Sequence, residues 1–147
     1  MNPTLTKFGY PQTMLLETEH WAVLRRPAQA TLGALILGAK SDVTSFAALP
    51  AGAHADLARA TRRIEAALRR FRPFDRINYL MLMMVDPEVH FHVLPRYAMA
   101  QNFGGVEFPD SGWPGVPDLK SAPVLTDGEA HDLHRALAHA FTQTAEA

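Results

Sequence analysis

The 147-residue chain contains no cysteine. Disulfide staples, thiolate metal sites and thiol nucleophiles are therefore excluded. No apolar run approaches the ~20 residues that a membrane-spanning helix needs. The opening residues, M-N-P-T-L-T-K-F-G-Y, hold no apolar stretch of the kind a secretory signal carries. A cytoplasmic protein with no membrane partner is the resulting expectation. An excess of one charge is missing too: the formal net charge is −1. Nothing global argues for nucleic acid or for an anionic membrane surface. What is present, 48% apolar and 20% charged residues, is ordinary for a globular chain. The length suits one domain over 1–147.

No internal repeat is visible. Thr13 to Glu17 and Trp21 to Arg25 are short apolar runs around a polar Thr18–His20, and read as a hairpin. Thr31 to Leu37, between Pro27 and Gly38, reads as a third strand. Asp42 to Leu49 has room for one helical turn before Pro50 stops it. From Ala53 to Phe71, Leu57, Ile64, Leu68 and Phe71 recur at helical spacing and predict a helix with one buried stripe. Arg59, Arg62, Arg63, Arg69 and Arg70 mostly miss that stripe. With Asp56 and Glu65 interrupting them, they read as a solvated face rather than a nucleic-acid patch.

Ile77 to Val85, I-N-Y-L-M-L-M-M-V, is apolar on both faces and predicts a central strand covered on both sides. Asp86-Pro87 then leads into a strand over Glu88–Leu94. So short a connection makes the two strands antiparallel neighbours. Residues 98–125 are rich in glycine and proline and read as a long loop. Trp113 within it either anchors that loop or lines a pocket. Thr126 and Glu129 form a capping-box pattern for a last helix over 126–144, with Leu133, Leu137 and Phe141 on its apolar stripe. His131, His134 and His139 lie near or off the stripe and read as surface positions. The order β-β-β-α-β-β-loop-α predicts an α+β fold with an antiparallel sheet.

The most informative stretch is E-V-H-F-H-V-L-P-R, Glu88 to Arg96. Alternation along a strand puts Glu88, His90 and His92 on one face and Val89, Phe91 and Val93 on the other. The two histidine Cα atoms should lie roughly 6.6 Å apart, close enough for their rings to converge on one group. Three readings are open. The residues are solvent-exposed polar positions. Or they ligate zinc or non-haem iron, as two imidazoles and a carboxylate can. Or one imidazole is a nucleophile towards phosphorus, its other nitrogen fixed by a hydrogen bond. In that last case His92 is a donor and Arg96 a phosphate partner. The chemistry also demands that residue 90 face a cavity open to a phosphate ester.

H-F-H-V-L-P-R-Y, His90 to Tyr97, resembles the signature of the histidine triad (HIT) superfamily, His-φ-His-φ-His-φ-φ with φ apolar, often continuing Leu-Pro-Arg. T-L-G-A-L-I-L-G-A-K, Thr31 to Lys40, resembles the family's strand before its first main helix. The pattern extends over roughly Phe8 to Tyr97, and only the His90–Arg96 motif is specific. The resemblance implies a HIT-like five-stranded antiparallel sheet with two main helices, in a homodimer. It implies a small-molecule nucleotide as partner, no metal in the histidine cluster and no cofactor. The activity implied is that of a nucleotidyl hydrolase or transferase working through a nucleotidyl-histidine. By position, His90 is the nucleophile and His92 a phosphate-side donor. Three departures stand out. Glu88 replaces the first motif histidine, where it either repels phosphate, orients His90 or positions water. Val85-Asp86-Pro87 leaves no room for the family's Gly-rich phosphate loop. Arg25 takes the place of a ribose-contacting asparagine, and Gly33 that of a further histidine. A nucleotide-binding or interaction module with little turnover is the alternative, and a metal-dependent enzyme using Glu88, His90 and His92 a more distant one.

Overall fold

The computed structural model describes residues 2–144. In chain order the elements are α1 (Pro3–Lys7), β1 (Met14–Glu17), β2 (Trp21–Arg25), β3 (Leu35–Ala39), a 3-10 turn (Phe46–Ala48), α2 (Ala51–Phe71), β4 (Arg76–Leu80), β5 (His90–Arg96), β6 (Gln101–Phe103), β7 (Val106–Phe108) and α3 (Asp127–Gln143). Five strands form one sheet in the order β1-β2-β3-β5-β4, with every neighbouring pair antiparallel. The fold is α+β with two long helices, as the sequence pattern predicts.

The register sorts side chains into two faces, because residues directly opposite one another in an antiparallel pair point the same way. One face carries Trp21, Val23, Leu35, Leu37, Phe91 and Val93. It is closed by α2 through Ile64, Ala67 and Leu68 and by α3 through Leu133, Leu137 and Phe141. The capping box that opens α3 is present: Glu129 N donates to Thr126 Oγ1 at 3.1 Å, and Thr126 N to Glu129 Oε1 at 2.9 Å. The other face reads in rows across the sheet. Ala22, Gly38 and His90 make one row, and Leu24, Ile36, His92 and Leu80 the next. Leu5, with Phe8, Tyr10 and Met14 beside it, packs on the apolar part of these rows.

Four sequence expectations shift. The third strand runs over Leu35–Ala39, later than expected. The predicted central strand over 77–85 is instead the edge strand β4, five residues long and, among the described residues, paired only with β5. Beyond Leu80 the chain leaves the sheet, so Met84 and Val85 are 83% and 85% exposed. An apolar run records what a segment can bury, not whether this chain supplies the cover. Within the expected loop, β6 and β7 pair as a hairpin around Gly104-Gly105, whose φ angles of 59° and 83° suit the primed turns that join such strands. At the N-terminus, α1 begins from Asn2, whose Oδ1 accepts from Leu5 N at 2.9 Å, with Pro3 at the first helical position. Among the described residues no helix is long and apolar enough to cross a membrane.

Candidate active site

β5 carries the site. His90 and His92 lie 1% and 6% exposed. The His90 ring is held by its Nδ1, 2.7 Å from the Glu88 carbonyl oxygen. A carbonyl only accepts, so Nδ1 carries the proton and Nε2 is left with the lone pair. That Nε2 is buried and, among the described residues, has no hydrogen-bond partner. Leaving such an acceptor unmet costs about 1–3 kcal/mol, which a merely structural histidine would have no reason to incur. The His92 ring sits 5.2 Å away, edge on. Its Nδ1 accepts from Arg26 Nε at 3.3 Å, which places its own proton on Nε2. Burial lowers the His92 pKa from 6.5 to about 4. The Arg26 charge and then His90 add to this, and Asp86 opposes it. At neutral pH His92 is an uncharged donor.

The other expected residues divide. Glu88 lies outside the strand, and its carboxylate accepts from Thr4 Oγ1 at 2.6 Å. His90 is oriented by the backbone of residue 88 rather than by its side chain. Arg96 is not at the histidines. It is 4% exposed at the far end of β5, in a two-pronged ion pair with Asp110 (2.7 and 3.0 Å). It also donates to Asn78 Oδ1 at 2.7 Å and to the Gly115 carbonyl at 2.9 Å. Arg96 thus ties the 110–115 segment to the sheet. Arg25 follows Trp21 and Val23 onto the helix face, where its Nε donates to His134 Nδ1 at 3.3 Å. The structure does not bring Arg25 to the site, and His134 is half-buried rather than a surface position.

The cation that does reach His92 is Arg26, one residue on, which the sequence reading missed. Its signal was the alternation of β2 itself: if Trp21 and Val23 face the helices, position 26 faces away from them. Arg26 is 8% exposed. Its remaining bonds go to the Ala28 carbonyl (2.6 Å) and the Leu119 carbonyl (3.3 Å). Among the described residues it has no carboxylate partner. A buried cation of this kind is a place for an anion.

Access differs from the expectation of an open cavity at residue 90. The Phe8 ring packs against both histidines, tilted to His90 and edge-on to His92, with centroids 6.0 and 5.9 Å away. Leu5 fills the space above Gly38, where any Cβ would collide with it. The larger clefts open elsewhere. One of about 420 Å³, on the same face but at the other end of β4 and β5, is lined by Arg76, Asn78, Arg96 and Trp113. Trp113 thus lines a cleft. The metal reading also loses its geometry: among the described residues no three histidine, aspartate or glutamate side chains converge to hold an ion.

No family model matches the chain, and no curated protein matches it by sequence. Solved structures do. A histidine triad protein from Bradyrhizobium japonicum superposes with a TM-score of 0.71 at 18% identity, covering 96% of each chain. A histidine triad protein from Marinobacter aquaeolei gives 0.69 at 21% identity over 90% of each chain. A hypothetical histidine triad nucleotide-binding protein from Sulfolobus tokodaii gives 0.66 at 14% identity, over 89% of this chain and 84% of that one. The chain has the histidine triad fold.

Proposed function

We propose that this chain binds a nucleotide conjugate on the histidine face of its sheet and cleaves it at the α-phosphate through His90. Nε2 of His90 forms the N–P bond as the bond from phosphorus to the leaving group breaks. The leaving group departs with the electron pair of that bond, as an anion that takes its proton from solvent, while the Nε2–H of His92 donates a hydrogen bond to a phosphoryl oxygen. Water, or another acceptor, then releases the nucleotide from His90. The observation that carries this reading is the His90 ring: Nδ1–H held by a main-chain carbonyl, and a buried Nε2 lone pair with no hydrogen-bond donor among the described residues. Two further features support it. His92 keeps its one hydrogen on Nε2, available for a hydrogen bond to a phosphoryl oxygen, and Arg26 is a buried cation suited to the same charge.

A homodimer belongs to the same proposal. β4 is an unpaired sheet edge, and the 81–85 segment beside it exposes Leu82, Met84 and Val85. An open edge flanked by apolar side chains is a surface that a second copy can cover. The second functional reading, a binding module without turnover, is favoured by one observation, the Phe8 ring packed beside the His90 ring.

Incubation with an adenylated substrate separates the two. The proposed chemistry leaves an acid-labile nucleotidyl adduct on His90, found by peptide mass spectrometry, and His90→Ala abolishes both adduct and product. A nucleoside monophosphate that raises the melting temperature, with no product over long incubation, identifies a binding module instead. Undiminished turnover in His90→Ala ends the nucleophile assignment.

A further inference from the structure

The segment from Asn2 to Tyr10 lies against the histidine face of the sheet, with Phe8 beside the two histidine rings and Leu5 on the apolar rows next to them. Among the described residues, its backbone hydrogen bonds close within the segment and the turn that follows. Thr6 N bonds to the Asn2 carbonyl, Phe8 N to Thr4, Tyr10 N to Leu5 and Thr13 N to Gly9. None is a rung of the sheet, so the segment can lift without breaking a strand pairing. Its polar ties to the body are side-chain bonds. Asn2 Nδ2 donates to the carbonyls of Ala39 (2.8 Å) and Ser41 (3.1 Å). Thr4 Oγ1 donates to Glu88 (2.6 Å), and Lys7 Nζ to Asp86 (2.7 Å). The last two land on the turn that leads into the histidine strand.

What the segment covers is equally specific. Phe8 lies against both histidine rings, and Leu5 sits over Ala22, Leu24, Ile36 and Gly38. With the segment raised, His90 Nε2 would open onto an apolar trough, with the Arg26 cation beyond His92. A trough followed by a cation fits a phosphate ester bearing a flat, weakly polar ring, the ring taking the place of Phe8.

We infer that residues 2–10 form a strap that competes with substrate for the histidine face, latched to Asp86 and Glu88 by Lys7 and Thr4. This rests on the reading that His90 Nε2 is the reacting atom, but it is measurable without turnover. The probe is diethyl pyrocarbonate, which acylates a neutral, accessible imidazole. The rate at His90 is compared by mass spectrometry with that at the exposed His131. In the wild type His90 reacts more slowly than His131. In the double variant Thr4→Val/Lys7→Ala its relative rate rises about tenfold, the scale expected when one part-buried hydrogen bond and one exposed ion pair are lost from the closed state. Adenosine monophosphate binds the latch variant more tightly than the wild type and slows the reaction at His90.

Native-state hydrogen exchange on the wild type guards against misfolding of the variant. The amides of Phe8 and Tyr10 exchange faster than those of Leu37 in β3. Exchange of all three only by global unfolding, or an unchanged His90 rate in a folded latch variant, overturns the strap. Faster His90 acylation with no nucleotide effect keeps the strap and overturns the nucleotide reading. An adduct formed equally fast in both proteins does the reverse.

Discussion

Replacing His92 by glutamine should flatten the acid limb of the stability curve. Folding holds this imidazole's pKa down to about 4 from its ordinary 6.5, through burial first and then the Arg26 charge. The unfolded chain takes up the proton below pH 6.5, and the folded chain does not until about pH 4. Stability therefore falls as pH falls through this window, and this group contributes no slope above it. The full depression is worth about 3 kcal/mol, of which about 2.5 is lost between pH 7.5 and pH 4.5. A glutamine side chain would still offer its Oε1 to Arg26 Nε but cannot titrate. Urea unfolding of wild type and His92→Gln at pH 7.5, 6.5, 5.5 and 4.5 measures the difference directly. His134, whose pKa is also lowered by burial and then by Arg25 and His131, is common to both proteins and cancels in the comparison. The variant should start lower at pH 7.5, having lost a packed ring, and then lose about 2.5 kcal/mol less on acidification. Parallel curves for the two proteins would refute the claim that His92 is held neutral, and with it the donor role built on Nε2–H.

Two more outcomes follow from named contacts. Asp110→Asn leaves the Arg96 guanidinium buried without its carboxylate, since the two side chains are 4% and 1% exposed. It should cost about 3–5 kcal/mol in urea unfolding, and a loss under about 1 kcal/mol would show that the pair does not dock the 110–115 segment. The unpaired β4 edge and the exposed Met84 and Val85 predict a dimer mass by light scattering at micromolar concentration, lowered to a monomer by Met84→Lys/Val85→Lys. A monomeric wild type rejects the second copy.

Much of the fold is legible in the chain because its signals are local. The Ile64–Leu68 stripe of α2, the Thr126–Glu129 box of α3 and the alternation around His90 and His92 each lie within a few residues. Neighbours in the chain set a period of 3.6 or 2, and the period sets which side chains share a face. The β6–β7 hairpin is also written there, in Gly104-Gly105, and so is α1, in Asn2-Pro3. Both escape a reading by periodicity because each element is only three to five residues long.

The candidate site was legible only as a pattern on one strand. His90 and His92 do share a face, as their spacing requires. Their partners come from far away in the chain: Arg26 reaches His92 across 66 positions, and Thr4 reaches Glu88 across 84. Arg25 and Arg26 are chemically the same side chain, and only the register of β2 decides that the first meets α3 and the second meets the histidines. Arg96 looks like a phosphate ligand until Asp110 is found beside it. The sequence by itself determined the two long helices, the first hairpin and the sharing of a face by two imidazoles, since those follow from local periodicity. Tertiary structure decided which cation stands beside them, which edge stays open and which aromatic ring packs against them, since those depend on contacts between distant segments that no local period encodes.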